Sequence, residues 1–121
     1  MKNKSKKKIL IIDDDIELCE EMSEALKDEG YFVQTAFNAN KGEKLLKKIK
    51  FDIILLDYKM PGLNGIEIMK KIKDANTKVI ILSGKPFIEK LLKDNNIDNQ
   101  LSGIITKPFD VNELIKKLKS I

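Results

Sequence analysis

At 121 residues the chain can bury one core but not a second, so it reads as a single domain with no room for an output module. Apolar residues make up 42% and charged ones 35%, an ordinary soluble composition that leaves no membrane span. The net charge of +4 comes from lysine alone; there is no arginine, no histidine and one cysteine. That sets aside arginine base readout, imidazole catalysis, a phosphohistidine on this chain, a disulfide and a zinc cluster.

Much of the positive excess sits in Lys2, Lys4, Lys6, Lys7 and Lys8. These lysines have no interleaved aromatics, and the apolar run after them stops at Ile12 against three aspartates. Residues 1–7 therefore read as a solvated basic tail, neither a signal peptide nor a nucleic-acid arm, and the chain is expected to be cytoplasmic. The domain occupies residues 8–121.

Lys8 to Ile12 is the first buried strand, closing on Asp13-Asp14-Asp15. Helical spacing follows, with Ile16, Cys19, Met22 and Leu26 on the inward side, Asp15 as N-cap and Gly30 as the terminating glycine. Tyr31 to Ala36 is a second strand, and a helix from Asn38 or Ala39 to Lys48 turns Leu45, Leu46 and Ile49 inward. Asp52 to Leu56 is the third strand, ended by Asp57 and the turn-formers Pro61-Gly62 and Asn64-Gly65. A third helix presents Ile66, Met69 and Ile72, and Val79 to Leu82 is a fourth strand stopping at Ser83-Gly84. Pro86 opens a short fourth helix with Ile88, Leu91 and Leu92. Lys93 to Ser102 has the weakest pattern and is expected to contain an extended loop. Gly103 to Thr106 makes the fifth strand, before Lys107-Pro108. Asp110 and Glu113 form a capping box for a last helix whose inward face is Val111, Leu114, Ile115 and Leu118.

Five short apolar strands alternating with five helices imply an α/β fold, a doubly wound parallel sheet covered on both faces. The economical strand order is 2-1-3-4-5, as in flavodoxin-like folds. All strands then point the same way, so Asp13, Asp14, Asp57, Ser83 and Lys107 fall along one sheet edge, with strands one and three adjacent at the switch point where such sheets bind ligands. Clustered carboxylates repel unless a cation lies between them. Oxygen ligands without sulfur or imidazole suit Mg²⁺, or Mn²⁺ as a substitute. Ser83 and Lys107 add a donor and a positive charge suited to a phosphoryl oxygen. Asp57, alone on the central strand, is the better nucleophile for an acyl phosphate, and Asp13 and Asp14 the better metal holders.

Four stretches together carry a resemblance: Ile9 to Asp15, Asp52 to Gly65, Val79 to Gly84, and Ile105 to Phe109. In this order and at these strand ends the chain resembles the receiver domain of two-component response regulators, over nearly its whole length. The resemblance implies that Asp57 accepts a phosphoryl group from a phosphohistidine on a sensor histidine kinase or histidine phosphotransfer protein. It also implies that Asp14, Asp57 and the Lys59 backbone carbonyl bind Mg²⁺ directly, with Asp13 acting mainly through water. Ser83 would hydrogen-bond the arriving phosphoryl oxygen, Lys107 would pair with it, and Lys107-Pro108 would be a cis peptide. A downstream protein would dock on the fourth helix, fifth strand and fifth helix. The length suggests a stand-alone receiver, a signalling domain that catalyses only its own phosphoryl transfer and autodephosphorylation.

Two departures bear on that implication. Ile104 stands where the family often has a mobile aromatic ring, so coupling to a partner should depend less on this position. Lys59 and Lys85 lie two residues beyond Asp57 and Ser83, where the family tunes access of hydrolytic water; both read first as solvent-exposed lysines. Other readings are weaker. An aspartate-nucleophile phosphatase would place an acid where Lys59 stands, and a dinucleotide or P-loop protein needs glycines where the three aspartates are. A degenerate receiver serving as an unphosphorylated docking module is the non-enzymatic alternative.

Overall fold

A computed structural model describes residues 6–58, 65–72, 76–84, 88–94 and 101–121. Five parallel strands, β1 (Lys8–Ile12), β2 (Phe32–Ala36), β3 (Ile53–Asp57), β4 (Lys78–Ser83) and β5 (Leu101–Thr106), form one sheet in the order β2-β1-β3-β4-β5. Between and after them run α1 (Ile16–Asp28), α2 (Ala39–Lys48), α3 (Gly65–Lys71), α4 (Ile88–Asp94) and α5 (Val111–Lys119). The expected class, strand order and five helices are all present among the described residues.

Period-two alternation along the strands divides the core into two layers. Ile9, Ile11, Ile53, Leu55, Ile80 and Leu82 pack with Cys19, Met22 and Leu26 of α1 and with Leu114 and Leu118 of α5. Leu10, Ile12, Ile54, Leu56, Val79 and Ile81 pack on the other side with Ala39, Ile68, Met69 and Ile88. Each fully buried aliphatic side chain contributes roughly 1.5–3 kcal/mol by leaving water. Continuous apolar runs are therefore what a sheet covered on both faces requires.

Helix ends match the sequence chemistry. Asp15, Asn38 and Asp110 cap α1, α2 and α5, each side chain accepting a bond from the backbone N–H three residues on. The Asp110 half of the expected capping box is formed. At the end of α1, Gly30 has φ +99°, its N–H donates to Lys27 O, and the Tyr31 N–H donates to Leu26 O. That is the double closure a Schellman motif makes, and its αL residue favours glycine.

Several boundaries differ from expectation. Asp57 is the last residue of β3 rather than the first beyond it, and β2 starts at Phe32. β5 starts at Leu101 because its upper half pairs with β4 through a bulge: Val79 faces Leu101 and Ile80 faces Gly103, leaving Ser102 extra. Ile16, expected to face inward, is 52% exposed. It opens α1 at the sheet's edge, where no sheet lies beneath the first turn. The expected roles of Lys59, Met60, Pro61, Gly62, Lys85 and Pro86 and of the Asn-rich stretch lie outside the described residues, as do the side chains of Ile66, Leu91 and Leu92.

Candidate functional site

Strand register, before any side chain is considered, assembles the site. Ile12 pairs with Leu56, so Asp13 leaves β1 beside Asp57 at the end of β3. Asp57 pairs with Leu82 and Ser83 with Thr106, which puts Ser83 and then Lys107 on the next two strand ends. Backbone bonds lock this edge: Asp13 N–H donates to Ala36 O (3.1 Å), Tyr58 N–H to Leu82 O (3.0 Å) and Lys107 N–H to Ser83 O (2.9 Å). The Lys107-Pro108 peptide is cis.

Asp13, Asp14 and Asp57 each offer a carboxylate oxygen within 4.8 Å of the others. Asp13 and Asp57 are buried, as is Ser83, whereas Asp14 faces solvent. Both carboxylate oxygens of Asp13 are engaged. Its Oδ1 accepts the Asp15 N–H at 3.0 Å and its Oδ2 accepts Lys107 Nζ at 2.8 Å. Lys107 Nζ also lies 3.7 Å from Asp57 Oδ1, so one ammonium bridges two acids. Partial burial pulls the Lys107 pKa down, but the hydrogen bond to Asp13 and the charges of Asp13 and Asp57 outweigh it and hold the ammonium above the usual lysine value.

Beneath the site, the Cys19 thiol donates to the Asp13 backbone oxygen at 3.2 Å. Burial first, then the Asp13 and Asp15 charges, push its pKa up to about 12. Sequence reading found Cys19 as a core residue but missed this bond. The available signal was its place one turn into the helix that directly follows the aspartates.

Among the described residues, three carboxylates face one ammonium at this edge, and oxygen donors alone suit a hard divalent ion such as Mg²⁺. Beside it, Asp15, Leu18, Lys107, Pro108 and Phe109 line a mainly apolar cleft of about 310 Å³, with exposed Ile16 next in the chain after Asp15. A profile of the response regulator receiver domain family matches residues 9–119. The chain belongs to that family.

As a receiver domain it is 33% identical over 117 residues to sporulation initiation phosphotransferase F of Bacillus subtilis, covering 93% of this chain and 90% of that protein. Among solved structures, the chemotaxis protein CheY4 of Vibrio cholerae superposes with a TM-score of 0.86 at 28% identity, covering 97% of this chain and 99% of that one. Response regulator TrrA of Thermotoga maritima, solved in complex with Mg(2+)-BeF, superposes with a TM-score of 0.79 at 29% identity, covering 94% and 97%. The chain spans about half the length of several transcriptional regulators that it also matches. The receiver is a signalling domain. No described helix is long and apolar enough to cross a membrane.

Proposed function

We propose that residues 8–121 act as one receiver unit behind a basic tail at 1–7, and that Asp57 is its phosphoacceptor. The observation that carries this is Asp57 at the end of the central strand, with metal-competent carboxylates within 4.8 Å and an ammonium at 3.7 Å. A phosphohistidine of a sensor kinase or phosphotransfer protein approaches in line with Asp57; the N–P bond breaks, an Asp57 Oδ–P bond forms, and the histidine leaves with the nitrogen lone pair. Asp14, Asp57 and the Lys59 carbonyl would hold Mg²⁺, for which Mn²⁺ would substitute. Asp13, its two oxygens already engaged, would act on the ion mainly through water. When bound, the ion neutralises the carboxylates and the phosphoryl oxygens. Ser83 donates its hydroxyl to one phosphoryl oxygen and Lys107 pairs with another. Hydrolysis of the acyl phosphate by the domain itself resets it. The downstream partner is a protein that reads α4, β5 and α5, with no direct nucleic-acid contact, and a cytoplasmic setting fits this role.

The test is incubation with Mg²⁺ and a small acyl-phosphate donor, read by intact-protein mass. Wild type gains one phosphoryl increment, which does not form when chelator is present from the start and is absent in Asp57→Asn. An increment that persists in Asp57→Asn moves the acceptor elsewhere. No increment in wild type leaves the docking-module reading.

A further inference from the structure

Opposite the aspartates, at the edge where the strands begin, the structure has a second cleft. It opens between the C-terminal ends of α2 and α3, with a volume of about 430 Å³. That lies within the roughly 300–1,000 Å³ range of binding clefts. Its apolar lining is the buried Phe51 and Ile54 with the partly buried Leu46, Ile49 and Ile72. Its rim is cationic, with Lys47, Lys48, Lys50 and Lys71. No described residue lining it is acidic; Glu43, outside the lining, pairs with Lys71 at 3.1 Å. The one polar neutral group in the lining, the Thr77 hydroxyl, donates to Phe51 O at 2.8 Å.

The geometry points to a docking cleft for an acidic peptide segment of a partner protein, with an apolar side chain on the apolar lining and flanking Asp or Glu carboxylates on Lys47 and Lys48. Charge complementarity to the described lysines argues for an acidic partner, and the apolar lining argues for a peptide. A nucleic-acid backbone would satisfy the lysines but leave the apolar lining without a partner, and this chain has no arginine to read base edges. Lys47 and Lys48 also complement the C-terminal dipole of α2, but that would be met on any face of the last turn and does not account for the apolar lining. Because the cleft lies at the opposite sheet edge from Asp57, a segment bound there leaves the phosphoryl site open.

A fluorescent peptide, Glu-Glu-Asp-Leu-Phe-Asp-Glu-Glu, titrated into the full chain with anisotropy readout, tests this. Backbone NMR shifts locate the contact. We expect shifts clustered at Leu46 to Phe51 and at Ile72 and Thr77, and roughly five- to tenfold weaker binding to the doubly charge-reversed Lys47→Glu/Lys48→Glu protein. These positions are exposed, and circular dichroism checks that the fold is kept. A peptide with serine in place of Leu-Phe should bind at least as weakly as the charge-reversed protein binds the parent. Equal binding of the serine peptide, unchanged affinity in the double variant, shifts confined to other surfaces, or tighter binding of a single-stranded DNA oligonucleotide would each overturn the proposal.

Discussion

Lys107 is the residue on which the site's electrostatics turn, because its ammonium is the charge that lets Asp13 be buried. Among the described residues, Lys107→Ala leaves that carboxylate with the Asp15 N–H as its hydrogen-bond donor. Breaking a buried pair costs several kcal/mol, and the lysine's partial exposure scales this down to about 1–3 kcal/mol, measurable by urea unfolding. Adding Asp13→Asn to Lys107→Ala should recover part of the loss, because no buried charge then remains at that position. A further loss would mean that the carboxylate is held by its surroundings rather than by the lysine. Cys19 gives a pH signature. Its thiol ionises near 9.0 when exposed and at about 12 in the fold, so above pH 9 the unfolded chain releases its proton first and stability falls as pH rises toward 12. Lys107 adds to the same trend, since its raised pKa stabilises the fold at lower pH and that contribution is lost as pH rises through the folded value. Cys19→Ser, which keeps a donor to Asp13 O but does not ionise in this range, should show a shallower alkaline fall in melting temperature. The native thiol should also resist a disulfide reagent at pH 8 until denaturant is added.

The packing of α2 onto β1 depends on Gly42, where an added Cβ would stand 2.7 Å from Ile12 Cδ1 and 3.1 Å from its Cγ1. Gly42→Ala gains about 1 kcal/mol of helix propensity but overpacks a fully buried neighbour, which typically costs 1–3 kcal/mol, so a net loss of about 1 kcal/mol is expected. Ile12→Val removes the obstructing Cδ1, and in that background Gly42→Ala should become neutral or stabilising. A full propensity gain in the wild-type background would show that the side chain simply moves aside. This contact illustrates what the sequence did not reveal. Strand and helix identities were legible because β1, β3 and β4 hold continuous apolar runs, β2 carries aromatic and β-branched residues, and Asp15, Asn38, Asp110 and Gly30 are helix-end residues by chemistry. The closeness of α2 to β1 was not, since spacing tells which face of a helix is buried but not how near it lies. The same reason explains Ile16: its spacing put it on the inward side, but not where the sheet ends beneath it. At β5 the bulge displaced Ser102 and hid the strand's first residues from a period-two reading. The five strand-end residues were legible one at a time; the bond of Lys107 to Asp13, 94 residues apart, became visible only once β1 and β5 were placed in one sheet.

Among the described residues, charge is distributed unevenly between the two sheet edges. The edge where strands end gathers Asp13, Asp14 and Asp57 against Lys107, while the edge where they begin carries the lysine-rimmed cleft. Global stability should therefore respond to a cation at the first edge. A ligand that binds only the folded chain adds about 1.4 kcal/mol at roughly ten times its dissociation constant, which for a domain of this size raises the melting temperature by roughly 3–6 °C. Mg²⁺ is expected to do this for the wild-type chain, and chelator to reverse it. In Asp57→Asn the repulsion among the carboxylates is reduced without metal, so the chelated protein should melt higher than chelated wild type and gain less from Mg²⁺. The two differences have one origin: the energy released by removing a charge is energy the cation no longer recovers. Raising ionic strength with a monovalent salt should shrink the exposed part of this response while leaving most of it, since Asp13 and Asp57 are buried and poorly screened. An identical Mg²⁺ shift in wild type and Asp57→Asn would place the ion's stabilising contacts away from Asp57 and remove it from the ligand set.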